Sequence, residues 1–223
     1  MARKKDSQPA KGKKGKGKST RDLRRRTDNR QPREYILIVV EGKETEYKYF
    51  QALNRDLKLT SALVEVVPGS GGDPLAVVNK AQKLREKKKP DRVFCVFDRN
   101  GLPHYQEAFQ AAKNYGFEEP IASTPCFEFW FLLHYRYTEK AFGRCQEVIP
   151  ELEKELIAAN VLKAGQKYNK NLDLYRELKP KLQDAIANAQ KLEERQAGEA
   201  KPNPSTKVHV LVKFLQEQKN IIP

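Results

Sequence analysis

Apolar positions in this chain fall first in short runs and then at helical spacing, and the two patterns alternate. Tyr35–Val40 is a run of six apolar residues, four of them β-branched (Ile36, Ile38, Val39 and Val40). A run of that length without polar alternation reads as a strand buried on both faces, as in a parallel sheet. Tyr47, Phe50, Leu53 and Leu57 then predict a helix over 44–57, and Ala62–Val67 a second strand. Val77, Val78, Ala81 and Leu84 mark a helix over 75–88, with Asp73 as N-cap and Pro74 at its first position. Arg92–Phe97 is a third strand, and a helix near 104–115 and a short strand over 119–123 complete the series. Strands alternating with helices at this spacing predict a parallel sheet flanked by helices.

Right-handed crossovers and short loops give the order 2-1-3-4, so the first and third strands lie side by side. The first ends in Glu41-Gly42 and the third in Asp98. Ligand sites of open α/β sheets sit outside the carboxyl ends of the strands, at the switch point. Two carboxylates are therefore expected at one crevice.

After Ser123 the run Thr124-Pro-Cys-Phe-Glu-Phe-Trp-Phe-Leu-Leu-His134 is apolar almost all round, the pattern of a buried helix, with Thr124 as N-cap and Pro125 at N1. Glu128 is its one carboxylate, either paired internally or aimed into the crevice. From Ala141 the pattern is helical. Val148, Leu152, Leu156 and Ile157 mark one helix, Leu172, Tyr175, Leu178 and Leu182 another, and Val208, Leu211, Val212 and Leu215 the last, with Ser205 as its N-cap. Tyr168-Asn-Lys170 falls in a polar turn between helices, where side chains reach ligands.

Charge refines the outline. The 43 Lys and Arg exceed the 29 Asp and Glu, a net +14, but residues 1–33 alone hold 14 Lys and Arg against 3 Asp. That segment has no apolar periodicity and is expected to be a disordered basic tail, acting as a solubiliser or a polyanion-binding arm. The division expected is tail 1–33, α/β core 34–137 and a helical extension 138–223 packed on it. Gly69-Ser-Gly-Gly-Asp73 lacks the spacing of a phosphate loop and reads as a flexible loop or helix cap. Three cysteines without a CxxC pair predict a reduced, cytoplasmic chain. Neither a signal peptide nor an apolar run of about 20 residues is present, so no membrane partner is expected.

Four motifs occur in order: Val40-Glu-Gly-Lys-Glu-Thr-Glu46, Val96-Phe-Asp-Arg-Asn100, Ser123 to Tyr135, and Asn203-Pro-Ser-Thr-Lys-Val-His209. Together they resemble the RloB family, a TOPRIM-like group linked to abortive phage infection and restriction-modification loci. The resemblance spans roughly residues 34–215. It implies a Rossmann-like TOPRIM sheet of about four strands with a helical C-terminal extension, and Mg²⁺- or Mn²⁺-dependent cleavage of DNA or RNA phosphodiesters, with an ATPase subunit encoded nearby as a possible partner. Glu41 matches the TOPRIM Glu as ligand or general base, and Asp98 the first Asp as main ligand. Asn100 stands where a second Asp is usual, offering a carbonyl oxygen but one negative charge fewer. Glu128 resembles a later acidic position.

Lys43 is either a phosphate contact near developing charge or a solvated lysine, and Arg99 either an ion-pair partner of Asp98 or a phosphate contact. Tyr168, Lys170 and Lys207 are further candidates for nucleic-acid contact. His104, His134 and His209 are acid–base candidates by residue type alone. Asn100 and the basic tail also favour the contrary reading, a non-catalytic module that binds nucleic acid or a partner.

Overall fold

The computed structural model describes residues 34–60, 62–69, 71–99 and 104–220. The basic segment 1–33 and Asn100 lie outside them. The sheet is built around β1 (Ile36–Val40), whose five residues are all buried. Ile36, Ile38 and Val40 enter one hydrophobic cluster, Leu37 and Val39 another. β3 (Arg92–Asp98) repeats the division, with Phe94 and Val96 on the first face and Val93, Cys95 and Phe97 on the second. Two-faced burial is why these strands carry runs of apolar residues rather than alternation.

With β2 (Val64–Pro68), β4 (Ile121–Thr124) and β5 (Ser205–Thr206), the order is β2-β1-β3-β4-β5. The first four strands are parallel, in the order read from the sequence, and β5 runs antiparallel to β4. The fifth strand corrects the wholly helical reading of the C-terminal third. Two residues carry no period, so hydrophobic pattern could not disclose it. Its place is fixed by ladder bonds and by the hydroxyls of Ser123 and Thr206, 3.0 Å apart.

α2 (Pro74–Lys88) and α3 (Tyr105–Asn114) cover the second face. Asp73 caps α2 as expected, accepting the Leu75 N–H at 3.0 Å. The first face is covered by α1 (Thr45–Leu57), α4 (Glu128–Leu133), α5 (Cys145–Ala158), α6 (Tyr175–Leu178), α7 (Leu182–Arg195) and α8 (Val208–Asn220), which share one cluster. Tyr49 of α1 meets two helices edge-on, with ring centroids 6.5 Å from Trp130 of α4 and 5.6 Å from Tyr175 of α6. Among the described residues no helix is long and apolar enough to cross a membrane.

Three local expectations change. Thr124 does not cap a helix; it ends β4, because a residue before proline is pushed toward extended backbone, and α4 begins only at Glu128. Ser205 does not cap α8, since it pairs with Thr124 in the sheet, and Thr206 Oγ1 accepts the Val208 N–H at 3.2 Å instead. Leu172 is exposed and Leu174 takes its place in the core. Pro180, which has no N–H to give, sits in a 3₁₀ turn (Lys179–Lys181) that divides α6 from α7.

The cysteines also differ from the reduced chain expected. Cys126 and Cys145 form a disulfide, with their Cα atoms 5.5 Å apart, and Cys95 is free and buried. The pair joins the turn before α4 to the first residue of α5, a proximity that sequence spacing does not encode.

Candidate functional site

β1 and β3 end side by side. The Glu41 N–H donates to Val96 O at 2.9 Å, prolonging the ladder by one residue, and its Oε2 accepts the Asp98 N–H at 3.0 Å. Strand parity places Asp98 with Phe94 and Val96, on the face covered by α1 and α4. That face supplies two more carboxylates, Glu46 from the first turn of α1 and Glu128 from the first turn of α4.

Glycine makes the approach possible at two points. A Cβ on Gly42 would lie 3.0 Å from Glu46 Oε2. One on Gly69 would lie 2.7 Å from Val40 O and 2.8 Å from Glu41 O, so the chain after β2 passes directly under the tip of β1.

The electrostatics are unbalanced. Asp98 is 9% exposed, and burial, followed by the charges of Glu46, Glu128 and Glu41, raises its carboxyl well above the ordinary value. Among the described residues Asp98 Oδ1 finds no hydrogen-bond partner. Burial raises Glu46 to about 7, with Glu128 and Glu41 adding to the effect. Glu128 is 1% exposed. Its Oε1 accepts from Thr45 Oγ1 at 3.3 Å, with Tyr168 Oη at 3.5 Å and Lys170 Nζ at 3.8 Å. Its Oε2 lies 3.3 Å from Cys145 Sγ.

Among the described residues Lys170 is the cation that faces all four carboxylates. Burial alone would lower its ammonium, but Glu128, Glu46, Asp98 and Glu41 together hold it raised. Its side chain is 60% exposed, so solvent screens much of that charge. The segment that carries it is clamped on both sides. The Tyr168 N–H donates to buried Glu153 of α5 at 2.8 Å, and Lys48 of α1 donates to Asn171 O at 3.1 Å. The Tyr168 phenol is raised by burial and by Glu128, which keeps its proton on the oxygen facing that carboxylate.

The structure thus brings together Glu41, Asp98, Glu128, Tyr168 and Lys170 from the sequence candidates. Lys43 is exposed in the turn before α1. Arg99 turns away from Asp98, its guanidinium 5.5 Å from the Tyr105 ring centroid, so it is not the ion-pair partner. Lys207 stands apart, bonded to Glu193 in a cavity of about 590 Å³ lined also by Tyr105, Phe109 and Leu192 but by none of the four carboxylates. His104 pairs with Asp73, His134 with Trp130 O and His209 with Glu193.

Sequence reasoning missed Glu46 as a site residue. The signal was present: Glu46, Phe50, Leu53 and Leu57 are spaced four, three and four apart, which puts a carboxylate on the buried stripe of α1.

Fold and site define a doubly wound α/β domain whose strand tips and two helix starts converge on buried carboxylates. A family model described as RloB-like protein matches residues 36–215, and the chain belongs to the RloB family. No curated protein and no solved structure gives a significant match.

Proposed function

We propose that this protein is a metal-dependent nuclease that hydrolyses nucleic-acid phosphodiesters, serving in antiphage defence. The observation that carries this reading is the excess of buried carboxylate over cation around the unpartnered Asp98 Oδ1. Such a cluster either stays partly protonated or takes up another positive charge. The donor set suits a hard divalent ion in kind, although no three of these carboxylates bring oxygens within 4.8 Å of one another as Glu128 and the two cysteine sulfurs do. It consists of carboxylate oxygens, and Mg²⁺ or Mn²⁺ accepts a few of these while keeping water and substrate phosphate as its other ligands.

Glu41, Asp98 and Glu128, with Glu46 beside them, would hold the ion, and Asn100, two residues after Asp98 in sequence and outside the described residues, is the further ligand candidate. When bound, such an ion supplies Lewis-acid polarisation of the phosphate and a more acidic water. The protein groups do the rest. Glu46, whose carboxyl burial raises before any ion binds, is the candidate to accept the proton of the attacking water. Lys170, released from the carboxylates, is placed to meet a phosphate oxygen, with Tyr168 beside it. Lys43 and Arg99 are candidates for phosphates further along the strand, and the basic segment 1–33 for sequence-independent attraction. Lys207 has weaker support because Glu193 already holds it. An ATPase subunit is a proposed partner on family grounds alone.

The test is incubation of purified protein with Mn²⁺ or Mg²⁺ and DNA, structured RNA or transfer RNA, beside the Glu41→Gln/Asp98→Asn double variant. Cleavage by the wild type and none by the variant is expected. Equal cleavage by both, or none by either, overturns the nuclease reading. Binding without cleavage by both would establish instead the non-catalytic module that Asn100 favours.

A further inference from the structure

Glu128 is an unusual carboxylate, because its two oxygens face different chemistry. Oε1 is occupied by Thr45, Tyr168 and Lys170, whereas the nearest partner of Oε2 is the sulfur of Cys145 at 3.3 Å. That sulfur is bonded to Cys126. A disulfide sulfur has no proton to donate, but a thiol does. The redox state of the pair therefore decides whether a buried carboxylate oxygen has a donor.

We propose that Cys126–Cys145 is a thiol–disulfide exchange site that sets the divalent-ion affinity of the acidic cluster, a proposal resting on the metal-site reading above. In the disulfide form Oε2 is unsatisfied and free to serve a cation. In the dithiol form the Cys145 S–H occupies it, and an ion must displace that bond.

The chemical partner is a small dithiol. Its thiolate attacks Sγ of Cys145, which is 6% exposed against 1% for Cys126 and follows exposed Gly143 and Arg144, and Cys126 leaves and takes a proton. The second thiol of the reductant then closes on its own first sulfur, expelling Cys145. Cys145 is the first residue of the fourteen-residue α5, where the helix N-terminus favours a departing thiolate. It takes the second proton. One S–S bond breaks and one forms, and two electrons and two protons pass from the dithiol to the protein.

A hydrogen bond to a charged group leads us to expect Mn²⁺ binding on the order of tenfold tighter in the oxidised protein. By linkage, Mn²⁺ then lowers the reduction potential of the pair, about 30 mV per tenfold. The experiment titrates Mn²⁺, followed by the electron-spin resonance of free ion, into oxidised and dithiol-reduced full-length protein. Cys126→Ala and Cys145→Ala are titrated in parallel. Both variants lack the crosslink, but only Cys126→Ala keeps the donor at position 145. The expected order is oxidised and Cys145→Ala tight, reduced and Cys126→Ala weak. Equal affinity in oxidised and reduced wild type overturns the coupling while leaving the metal site standing, and this comparison needs no variant to fold. Weak binding by both variants would assign any redox effect to the crosslink and overturn the donor mechanism. No Mn²⁺ binding in any form overturns the metal site itself, and the coupling with it.

Discussion

The acidic crevice and the α3–α7 cavity are built on neighbouring parts of one sheet, yet they treat charge in opposite ways. In the cavity Glu193 meets both Lys207 and His209. Burial pushes Glu193 up, but the hydrogen bond from Lys207 and the charges of both neighbours bring it below its ordinary value. In the crevice burial and like charges act together, and Glu46 and Asp98 are both raised. A site that supplies its own counter-charge is complete as it stands. One that sets four carboxylates, three of them buried, against the one lysine that faces them among the described residues is, on the reading proposed above, arranged for a cation from outside.

The largest expected effect is from Asp98→Asn. Cleavage rates should fall at least about 100-fold, the upper end of what losing a supporting contact costs. In metal-free buffer at pH 8 the same variant should melt higher than wild type, because it removes a buried like charge. A lower melting temperature would break the contrast with the cavity.

A pH series tests the next effect. Glu46 is raised from 4.5 to about 7, so in the folded protein it resists ionisation. Its unfavourable contribution is absent below pH 4.5, grows as pH rises, and is complete above about 7, reaching up to about 3 kcal/mol. His134 opposes it in the same window. Burial lowers His134 to about 4, so its contribution is full above 6.5 and is lost as pH falls toward 4. Wild-type melting alone would blur the two. The stability of wild type relative to Glu46→Gln, measured without divalent ions, isolates the first and should fall between pH 4.5 and 7. A flat difference would contradict the burial of Glu46 as an acid.

Smaller changes follow from the cations. Lys170→Ala should tighten Mn²⁺ binding a few-fold by removing a competing charge, roughly 1 kcal/mol or less for a side chain so exposed, while lowering cleavage. Looser Mn²⁺ binding would make Lys170 a supporter of the site rather than a competitor. Lys207→Ala should change stability by less than about 1 kcal/mol and leave both metal binding and cleavage unchanged. An effect on cleavage would extend the functional surface into the cavity.

What the sequence disclosed follows the range of each interaction. Buried strands announce themselves locally, so Ile36–Val40 and Arg92–Asp98 could be placed beside each other, and Glu41 and Asp98 at one crevice. Glu128 stood out as a carboxylate in an apolar helix, and Tyr168 and Lys170 as a polar turn. The two-residue β5 depends on partners 83 residues away, as at Ser123 and Thr206, and the Cys126–Cys145 link depends on how α4 packs on α5. Neither leaves a period in the sequence. Glu46 was legible from its place on the α1 stripe, but a charge beside Glu44 reads at first as an ordinary solvated helix start.

The most direct test of the account is calorimetry of Mn²⁺ binding at pH 7 in two buffers of different ionisation enthalpy. If the cluster exchanges protons for a cation, binding should release on the order of one proton per ion, and Asp98→Asn should abolish it. Absence of binding heat, or binding that releases no proton and survives Asp98→Asn, would contradict the claim that these carboxylates await a metal.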